Sequence, residues 1–213
     1  MDIVELLNAQ GKIDAEQAWI KLEADPALGA VVRQWGKCPL KPHADYFREL
    51  CESVLAQQIS GKVAAALADR LVQRLDGVIT PETLASLSIE DLRAIGISAR
   101  KGATLLELAV RCCDGRIPLA TLGELSDKEI IDLLTGVKGV GPWTVMMFLI
   151  FSLNRPRVIP AADYGIRKAI QNLFGLSELP PVSKVAAYYD AWAPHESAAS
   201  WYLWRSLENA GRV

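Results

Sequence analysis

Apolar residues recur at spacings of three and four along most of the chain, as expected for amphipathic α-helices. No run of alternating β-branched residues predicts a strand. The pattern predicts twelve helices, over residues 15–24, 26–36, 46–59, 61–76, 81–86, 89–95, 99–114, 126–134, 142–153, 164–174, 182–191 and 197–210. The predicted fold class is therefore all-α.

Local signals support several of these boundaries. Capping boxes begin at Ser88 and Ser126, and Pro81 stands at the first helical position after Thr80. Glycines that predict helix stops are Gly77, Gly96, Gly115, Gly136 and Gly175.

Two segments rich in proline and basic residues interrupt the helical pattern, at 35–42 and 154–160. Such segments are natural crossings between packed bodies. They predict a central subdomain over 43–153 and a second subdomain formed by 1–42 with 154–213. A cleft between the two would lie close to residues 154–164.

Composition narrows the classes of protein that remain. With 213 residues, 51% hydrophobic and 23% charged, the chain has the composition of a folded globular protein and not of a disordered one. Its net charge of −2 disfavours a nonspecific DNA coat, so any nucleic-acid site must be local.

Cysteine usage and the lack of targeting signals indicate a cytoplasmic location, or a nucleoid-associated one in a prokaryote. The chain has four cysteines, Cys38, Cys51, Cys112 and Cys113, whose spacing suits neither a zinc site nor a disulfide framework. The first ten residues lack the basic flank and apolar run of a signal peptide. The longest apolar stretch, 145–151, is too short to span a bilayer.

A glycine-rich turn separates two helical patterns, in the run Leu133-Leu-Thr-Gly-Val-Lys-Gly-Val-Gly-Pro-Trp-Thr144. Alone, such a turn is also typical of a helix end followed by a tight connector. Glycine lets the backbone come close to a ligand, and the next helix opens at Pro142 with outward-facing amides. Amides in this arrangement bind phosphate with few positive side chains, and Lys138 adds one charge at the tip.

Asp163 stands before an amphipathic helix in the run Val158-Ile-Pro-Ala-Ala-Asp-Tyr-Gly-Ile-Arg167. Considered alone, it is a helix N-cap. A carboxylate at a helix N-terminus is better suited to stabilising positive charge than to donating a proton.

Taken together, the hairpin and Asp163 resemble the helix-hairpin-helix DNA glycosylase superfamily, in its 3-methyladenine DNA glycosylase II branch. The resemblance covers roughly residues 25–210 and implies two helical subdomains flanking a DNA-binding cleft, with the helix-hairpin-helix at about 126–153. It implies that Asp163 is catalytic. The hairpin residues that it implies in DNA binding are Gly136, Lys138, Gly139, Val140, Gly141 and Thr144. Two positions depart from the family: Ala162 replaces a first aspartate, and Glu196 replaces an arginine, which weakens a contact there.

The resemblance also implies which chemistry is absent. Bifunctional relatives carry a nucleophilic lysine where this chain has Trp143, so no strand cleavage is expected. All four cysteines precede residue 114, so no iron–sulfur cluster is expected. No cofactor is required, although the family arrangement implies a structural Na+ or K+ on the backbone carbonyls of Thr135, Val137 and Val140.

The implied activity is removal of an alkylated purine by base flipping from damaged double-stranded DNA, by a monomer without membrane contact, leaving an abasic site. The implied base pocket consists of Trp143, Tyr164 and Trp204, although each tryptophan also fits core packing. The segment Ser53-Val-Leu-Ala-Gln-Gln-Ile-Ser60 resembles the minor-groove segment of the family, with Gln58 or Ile59 as the wedge, although glutamines there also fit a solvated helix end. Further phosphate contacts are implied for Ser60, Lys62, Ser98, Lys101, Arg167 and Lys168.

Two alternatives stay open from the sequence. One is a noncatalytic helix-hairpin-helix module, because a hairpin alone only grips phosphates. The other is a glycosylase for hypoxanthine, ethenoadenine, 1-methyladenine, uracil or an oxidised purine. Neutral lesions need a proton donor or strong hydrogen bonds to the leaving base, and neither His43 nor His195 lies in a motif that favours this role.

Overall fold

The structure is a computed structural model that describes residues 11–208, and this part of the chain contains α-helices and no strand. The twelve α-helices are α1 Ala15–Glu23, α2 Gly29–Trp35, α3 Tyr46–Ala56, α4 Gly61–Arg74, α5 Pro81–Ala85, α6 Ile89–Ala94, α7 Ala99–Cys113, α8 Asp127–Thr135, α9 Pro142–Met147, α10 Tyr164–Leu173, α11 Val182–Tyr188 and α12 Glu196–Glu208. Short 3-10 turns span Leu122–Glu124 and Asp190–Trp192, and a π-helical turn spans Phe148–Ser152. The all-α prediction is confirmed, and each predicted helix overlaps one of the twelve.

The local capping signals form the hydrogen bonds that they predict. Ser88 and Ser126 each accept a hydrogen bond from the backbone amide three residues later, and the acidic side chain at that position bonds back to the cap. Thr80 caps α5 in the same way, with Pro81 at its first position. These bonds satisfy amides that have no partner inside a helix.

Several predicted boundaries were wrong. The helix predicted over 46–59 stops at Ala56, because Gln57 is extended and Gln58 adopts a left-handed φ of 57°. The pattern over 142–153 divides into α9 and the π-helical turn, and the one over 182–191 ends its α-helix at Tyr188. The predicted last helix starts one residue earlier, at Glu196, and its residues 209 and 210 lie outside the described residues.

Four of the five predicted glycine stops have positive φ, namely Gly77, Gly96, Gly115 and Gly175. Gly136 does not: it follows α8 with right-handed dihedrals, φ −65° and ψ −18°. The left-handed glycine of this turn is instead Gly139, at φ 95°. Gly136 is nevertheless the C-cap of α8, which ends at Thr135, so the predicted helix stop at Gly136 is confirmed.

The chain divides into two compact units. The central unit is His43–Phe148, and the terminal unit combines Met1–Pro42 with Leu149–Val213. The first boundary coincides with the predicted one at 42/43, whereas the second lies five residues before the predicted boundary at 153/154. The domain division predicted from the sequence itself stays a prediction.

Each unit has its own apolar core. In the central unit α5 and α6 pack on α7, and Leu84, Leu92 and Leu105 are fully buried between them. In the terminal unit α10 packs on α12, with Tyr189, Trp192 and Tyr202 as its largest fully buried side chains. Among the described residues, no helix is long and apolar enough to cross a membrane.

Candidate active site

The hairpin of the central unit runs from the end of α8 to the start of α9. Val137 and Val140 are buried, and the Val140 amide donates to the Val137 carbonyl at 3.0 Å. Between them Lys138 and Gly139 are exposed at the tip. Gly141 is the N-cap of α9, and Pro142 follows as its first residue. Two buried valines therefore anchor the turn while its tip faces solvent.

Glycine is required at position 139 for two separate reasons. Its φ of 95° is a conformation that L side chains rarely adopt. A Cβ built there would lie 2.3 Å from Thr104 Oγ1, far closer than van der Waals contact. Gly141 has neither constraint, because its φ is −97° and no atom outside its chain neighbours would lie within 4 Å of a Cβ.

A groove of about 620 Å³ lies beside the hairpin tip within the central unit. The α7 side chains Arg100, Thr104 and Glu107 line one wall, and residues 138–141 line the other. Among the described residues, no protein acceptor bonds the backbone amides of Gly139 and Gly141. The groove thus offers two amide donors with Arg100 and Lys138 beside them, a combination that suits an anion.

The segment between α3 and α4 is tied to the hairpin through Gln57. Its side-chain amide donates to the Gly139 carbonyl at 3.1 Å and to Thr144 Oγ1 at 3.0 Å. Thr144, which the sequence assigned to the DNA-binding hairpin, is only 3% exposed. Its side chain is therefore buried at the start of α9, where it accepts the hydrogen bond from Gln57. This contact was missed from the sequence, although Gln57 stands directly before the predicted wedge.

Both predicted wedge residues project from this segment. Gln58 is exposed with φ 57°, and Ile59 is 37% exposed. Left-handed φ at a residue with a side chain costs free energy, and such positions cluster at functional sites. The bonds of the preceding Gln57 hold the segment so that this conformation persists.

The predicted phosphate contacts of the central unit divide into two groups. Ser60 and Ser98 are N-caps of α4 and α7, and Lys62 is exposed near the start of α4. Lys101 instead donates to the Leu55 carbonyl at 2.6 Å, at the last turn of α3. Burial lowers the pKa of this lysine, and the charge of Arg100 lowers it further. Lys101 thus has a structural partner that competes with any phosphate.

Asp163 of the terminal unit is the N-cap of α10. Its Oδ1 accepts hydrogen bonds from the Ile166 amide at 2.8 Å and from Trp204 Nε1 at 3.0 Å. Gly165 lets the indole come this close, since a Cβ there would lie 3.0 Å from Asp163 Oδ1 and 3.1 Å from Trp204 Cδ1. Two donors on one oxygen fix the orientation of the carboxylate.

The three predicted pocket aromatics have different surroundings. Trp204 stacks on Phe151, with ring centroids 5.7 Å apart, in addition to its bond to Asp163. Tyr164, also in the terminal unit, is 66% exposed. Trp143 of the central unit is 43% exposed. Within its unit, Trp204 is placed to orient the carboxylate, a role that the sequence did not suggest.

Glu196 is fully buried at the start of α12, and its carboxylate pairs with Arg157 at 3.4 Å. Burial raises the pKa of Glu196, and Arg157 partly offsets this rise. The neighbouring Ser197 accepts a bond from the Val158 amide and donates its own amide to the Pro156 carbonyl. Glu196, which stands where the family has an arginine, therefore holds the segment leading to Asp163 through Arg157. Its side chain is fully buried and cannot contact a phosphate.

The two remaining predicted phosphate contacts are engaged inside the terminal unit. Arg167 donates to the Pro180 carbonyl at 2.9 Å, and Lys168 donates to the Gln171 side chain at 2.9 Å. Among the described residues, no cluster of three or more His, Cys, Asp or Glu side chains could hold a metal ion.

A helix-hairpin-helix element in one helical unit, and a helix-capping aspartate downstream of it in the other, define a class of all-α DNA repair proteins. The chain belongs to the HhH-GPD superfamily of base excision DNA repair proteins, whose family model matches residues 51–195.

Individual relatives agree with this membership. DNA-3-methyladenine glycosylase 1 of Schizosaccharomyces pombe is 39% identical over 167 residues, which are 77% of this chain and 73% of that protein. YfjP of Bacillus subtilis is 33% identical over 85% of this chain, and the chain spans 66% of its length, just under two thirds. A solved structure of S. pombe 3-methyladenine DNA glycosylase (Mag1) with abasic DNA is similar, with a TM-score of 0.80 and 35% identity over 91% of this chain and 98% of that one.

Proposed function

We propose that this protein is a monofunctional DNA glycosylase that acts as a monomer and hydrolyses the N-glycosidic bond of alkylated purines in duplex DNA. The observation that carries the proposal is Asp163, whose carboxylate is held at the start of α10 by Trp204 and the Ile166 amide. The relatives that bear 3-methyladenine glycosylase names support the choice of substrate.

The proposed chemistry uses the carboxylate as an electrostatic partner. When the N-glycosidic bond breaks, its electron pair leaves with the base and positive charge develops on the sugar ring. A preoriented carboxylate stabilises this charge without having to reorganise during the reaction. Water then forms a bond to the anomeric carbon, and its proton passes to the carboxylate or to solvent.

Alkylated purines need no dedicated acid. Alkylation of a ring nitrogen makes the purine cationic, so the base departs as a neutral molecule once the bond breaks. Exposed aromatic faces such as those of Tyr164 and Trp143 attract a cationic ring. His195 is a poor proton donor at neutral pH, because burial lowers its pKa.

The product proposed is an abasic site with intact strands. A lyase step needs an amine that attacks the sugar and forms a Schiff base. Trp143 occupies the position at which bifunctional relatives carry that lysine, and its indole cannot supply this nucleophile.

The hairpin is proposed to bind a backbone phosphate through the amides of Gly139 and Gly141. A Na+ or K+ on the carbonyls of Thr135, Val137 and Val140 would brace this turn. Hard oxygen ligands suit such an ion, and the last carbonyls of a helix such as α8 have no intrahelical partner. DNA affinity that falls when K+ is replaced by tetramethylammonium at constant ionic strength would support the ion.

The test compares the native protein with Asp163→Asn on randomly methylated duplex DNA, with released bases separated by chromatography before any alkali. Asparagine still caps a helix, so this variant removes the charge and keeps the fold. Asp14→Asn is the matched control, because Asp14 caps α1 in the same way. We expect methylpurine release from the native protein and the control, and a loss of at least a hundredfold in Asp163→Asn.

Other outcomes discriminate the alternatives. DNA binding by all three proteins without release of any base, on methylated DNA and on duplexes carrying hypoxanthine, ethenoadenine, uracil or 8-oxoguanine, would favour a noncatalytic module. Release of a neutral lesion, without release of any methylpurine, would change the proposed substrate to that lesion. Strand cleavage before alkali, or trapping of the protein on DNA by borohydride, would contradict the monofunctional assignment.

A further inference from the structure

One residue of the hairpin, Lys138, is held at both its backbone nitrogen and its carbonyl oxygen by side chains of α7. Thr104 Oγ1 has two acceptors for its single proton, the Lys138 carbonyl at 2.9 Å and the Arg100 carbonyl of its own helix at 3.1 Å, and Glu107 Oε2 accepts from the Lys138 amide at 3.2 Å. Thr104 and Glu107 are three residues apart and therefore lie on the same face of α7. The hairpin tip is thus fixed by a second element, 31 and 34 residues away in the sequence.

The carboxylate of Glu107 is itself oriented. Arg111, one turn further along α7, donates to Glu107 Oε1 through Nε at 3.0 Å and through Nη2 at 2.7 Å. This pairing uses one carboxylate oxygen and leaves the other to accept from Lys138. It also offsets a negative charge that would otherwise repel an anion in the groove beside it.

Thr104 makes a second contribution through its position. It is only 4% exposed, and its Oγ1 occupies the space that a Cβ at Gly139 would need. The hairpin therefore packs against α7 without any intervening side chain. With the backbone of Lys138 held on one side and Gly139 packed on the other, the amides of Gly139 and Gly141 have a defined direction.

We propose that Thr104 and Glu107 are positioning residues that preset the hairpin amides for phosphate, an inference that rests on the proposed DNA-binding function. Neither side chain needs to touch DNA for this role. The benefit is that binding does not have to order the turn, since ordering a loop upon binding reduces affinity. Their loss should therefore weaken DNA binding and leave the chemistry at Asp163 unaffected.

Two pairs of variants separate the effect of losing a hydrogen bond from the effects of changed side-chain size and of lost stability. Thr104→Val keeps the shape and removes the donor, whereas Thr104→Ser keeps the hydroxyl. Glu107→Ala removes the acceptor, whereas Glu107→Gln keeps an oxygen that can accept from Lys138. We measure the Kd for a duplex with a tetrahydrofuran abasic-site analogue, the single-turnover rate of methylpurine release at saturating DNA, and the thermal unfolding midpoint of each protein.

We expect Thr104→Val and Glu107→Ala to raise Kd about tenfold, which corresponds to about 1.4 kcal/mol, with an unchanged saturating rate. Thr104→Ser and Glu107→Gln should bind within about twofold of the native protein. Amide exchange in the DNA-free protein supplies an independent reading: the Lys138 amide should exchange faster in Glu107→Ala and be protected again in Glu107→Gln.

Three results would overturn the inference. Native affinity in both Thr104→Val and Glu107→Ala would show that the contacts do not position the hairpin. Glu107→Gln as weak as Glu107→Ala, although its Lys138 amide is protected from exchange, would show that charge and not the hydrogen bond matters. A saturating rate that falls together with affinity would assign the residues to the chemistry. Failure of the native protein itself to bind DNA is a different result, which would refute the proposed function and this inference with it.

Discussion

Replacing Gly139 with alanine is the substitution for which the structure gives the sharpest expectation. The new Cβ would lie 2.3 Å from Thr104 Oγ1 and 3.4 Å from Thr104 Cβ. The backbone at this position also has φ 95°. Both features oppose any side chain, and they act through different physical causes that can be measured separately.

The magnitude follows from adding the two costs. A non-glycine residue forced into such a φ costs about 1–3 kcal/mol. Relief of the contact requires the Thr104 hydroxyl to rotate away from the Lys138 carbonyl, towards its other acceptor, the Arg100 carbonyl at 3.1 Å, and overpacking of this kind costs about 1–3 kcal/mol. Gly139→Ala should therefore lower the free energy of unfolding by about 2–6 kcal/mol.

Urea unfolding monitored by circular dichroism measures this loss, and a double-mutant cycle divides it. Thr104→Ala removes the clashing oxygen but leaves the backbone strain, so Gly139→Ala with Thr104→Ala should be about 1–3 kcal/mol more stable than additivity predicts. Gly141→Ala is the matched control, two residues away with ordinary φ and open space around a Cβ. It should change stability by less than about 1 kcal/mol.

Either of two results would contradict the expected loss of stability in Gly139→Ala. Equal stability of Gly139→Ala and Gly141→Ala would mean that the turn relaxes at little cost and is not held by α7. Strict additivity in the double-mutant cycle would mean that Thr104 does not contact Gly139 in solution.

Three further predictions follow from other contacts. Trp204→Phe keeps the aromatic stack but removes the donor to Asp163, so methylpurine release should slow about tenfold with an unchanged Kd for DNA; an unchanged rate would remove Trp204 from the positioning of the carboxylate. Lys101→Met should lower the free energy of unfolding by about 1–2 kcal/mol in urea titrations, because the last turn of α3 loses its ammonium donor, and an unchanged value would contradict this contact. Glu196 has a raised pKa in the folded state, so its contribution to stability is complete below the ordinary pKa of 4.5 and is lost as the pH rises through the folded pKa. Glu196→Gln should therefore lose less stability than the native protein between pH 4 and pH 8. Parallel pH profiles of the free energy of unfolding for the two proteins would refute this prediction.

Much of the local structure was predictable because its causes are local. The bonds of the capping boxes at Ser88 and Ser126 join residues three positions apart, and a short window of sequence contains both partners. The same holds for the helical periodicity, which needs only one turn of context. The spacing of glycines at 139 and 141 before Pro142 likewise indicated a tight hairpin.

The errors arose where a distant partner decides the backbone. Nothing in the pattern around Gln57 ends a helix, yet its side chain bonds to Gly139 and Thr144, 82 and 87 residues away. Those bonds accompany the extended Gln57 and left-handed Gln58 that end α3. The pairing of Glu196 with Arg157 was missed for the same reason, since the two residues are 39 positions apart.

The sequence by itself determined the helical class, the positions of most helices, the glycine turn and the capping aspartate, because each depends on residues close together in the chain. Only the tertiary structure decided which polar side chains meet: Trp204 with Asp163, and Thr104 and Glu107 with Lys138. These pairs are joined across 31 to 41 residues, and a single hydrogen bond leaves no periodic trace in a sequence. The direction of the carboxylate and of the hairpin amides is therefore a property of the packed units and not of the motifs that they contain.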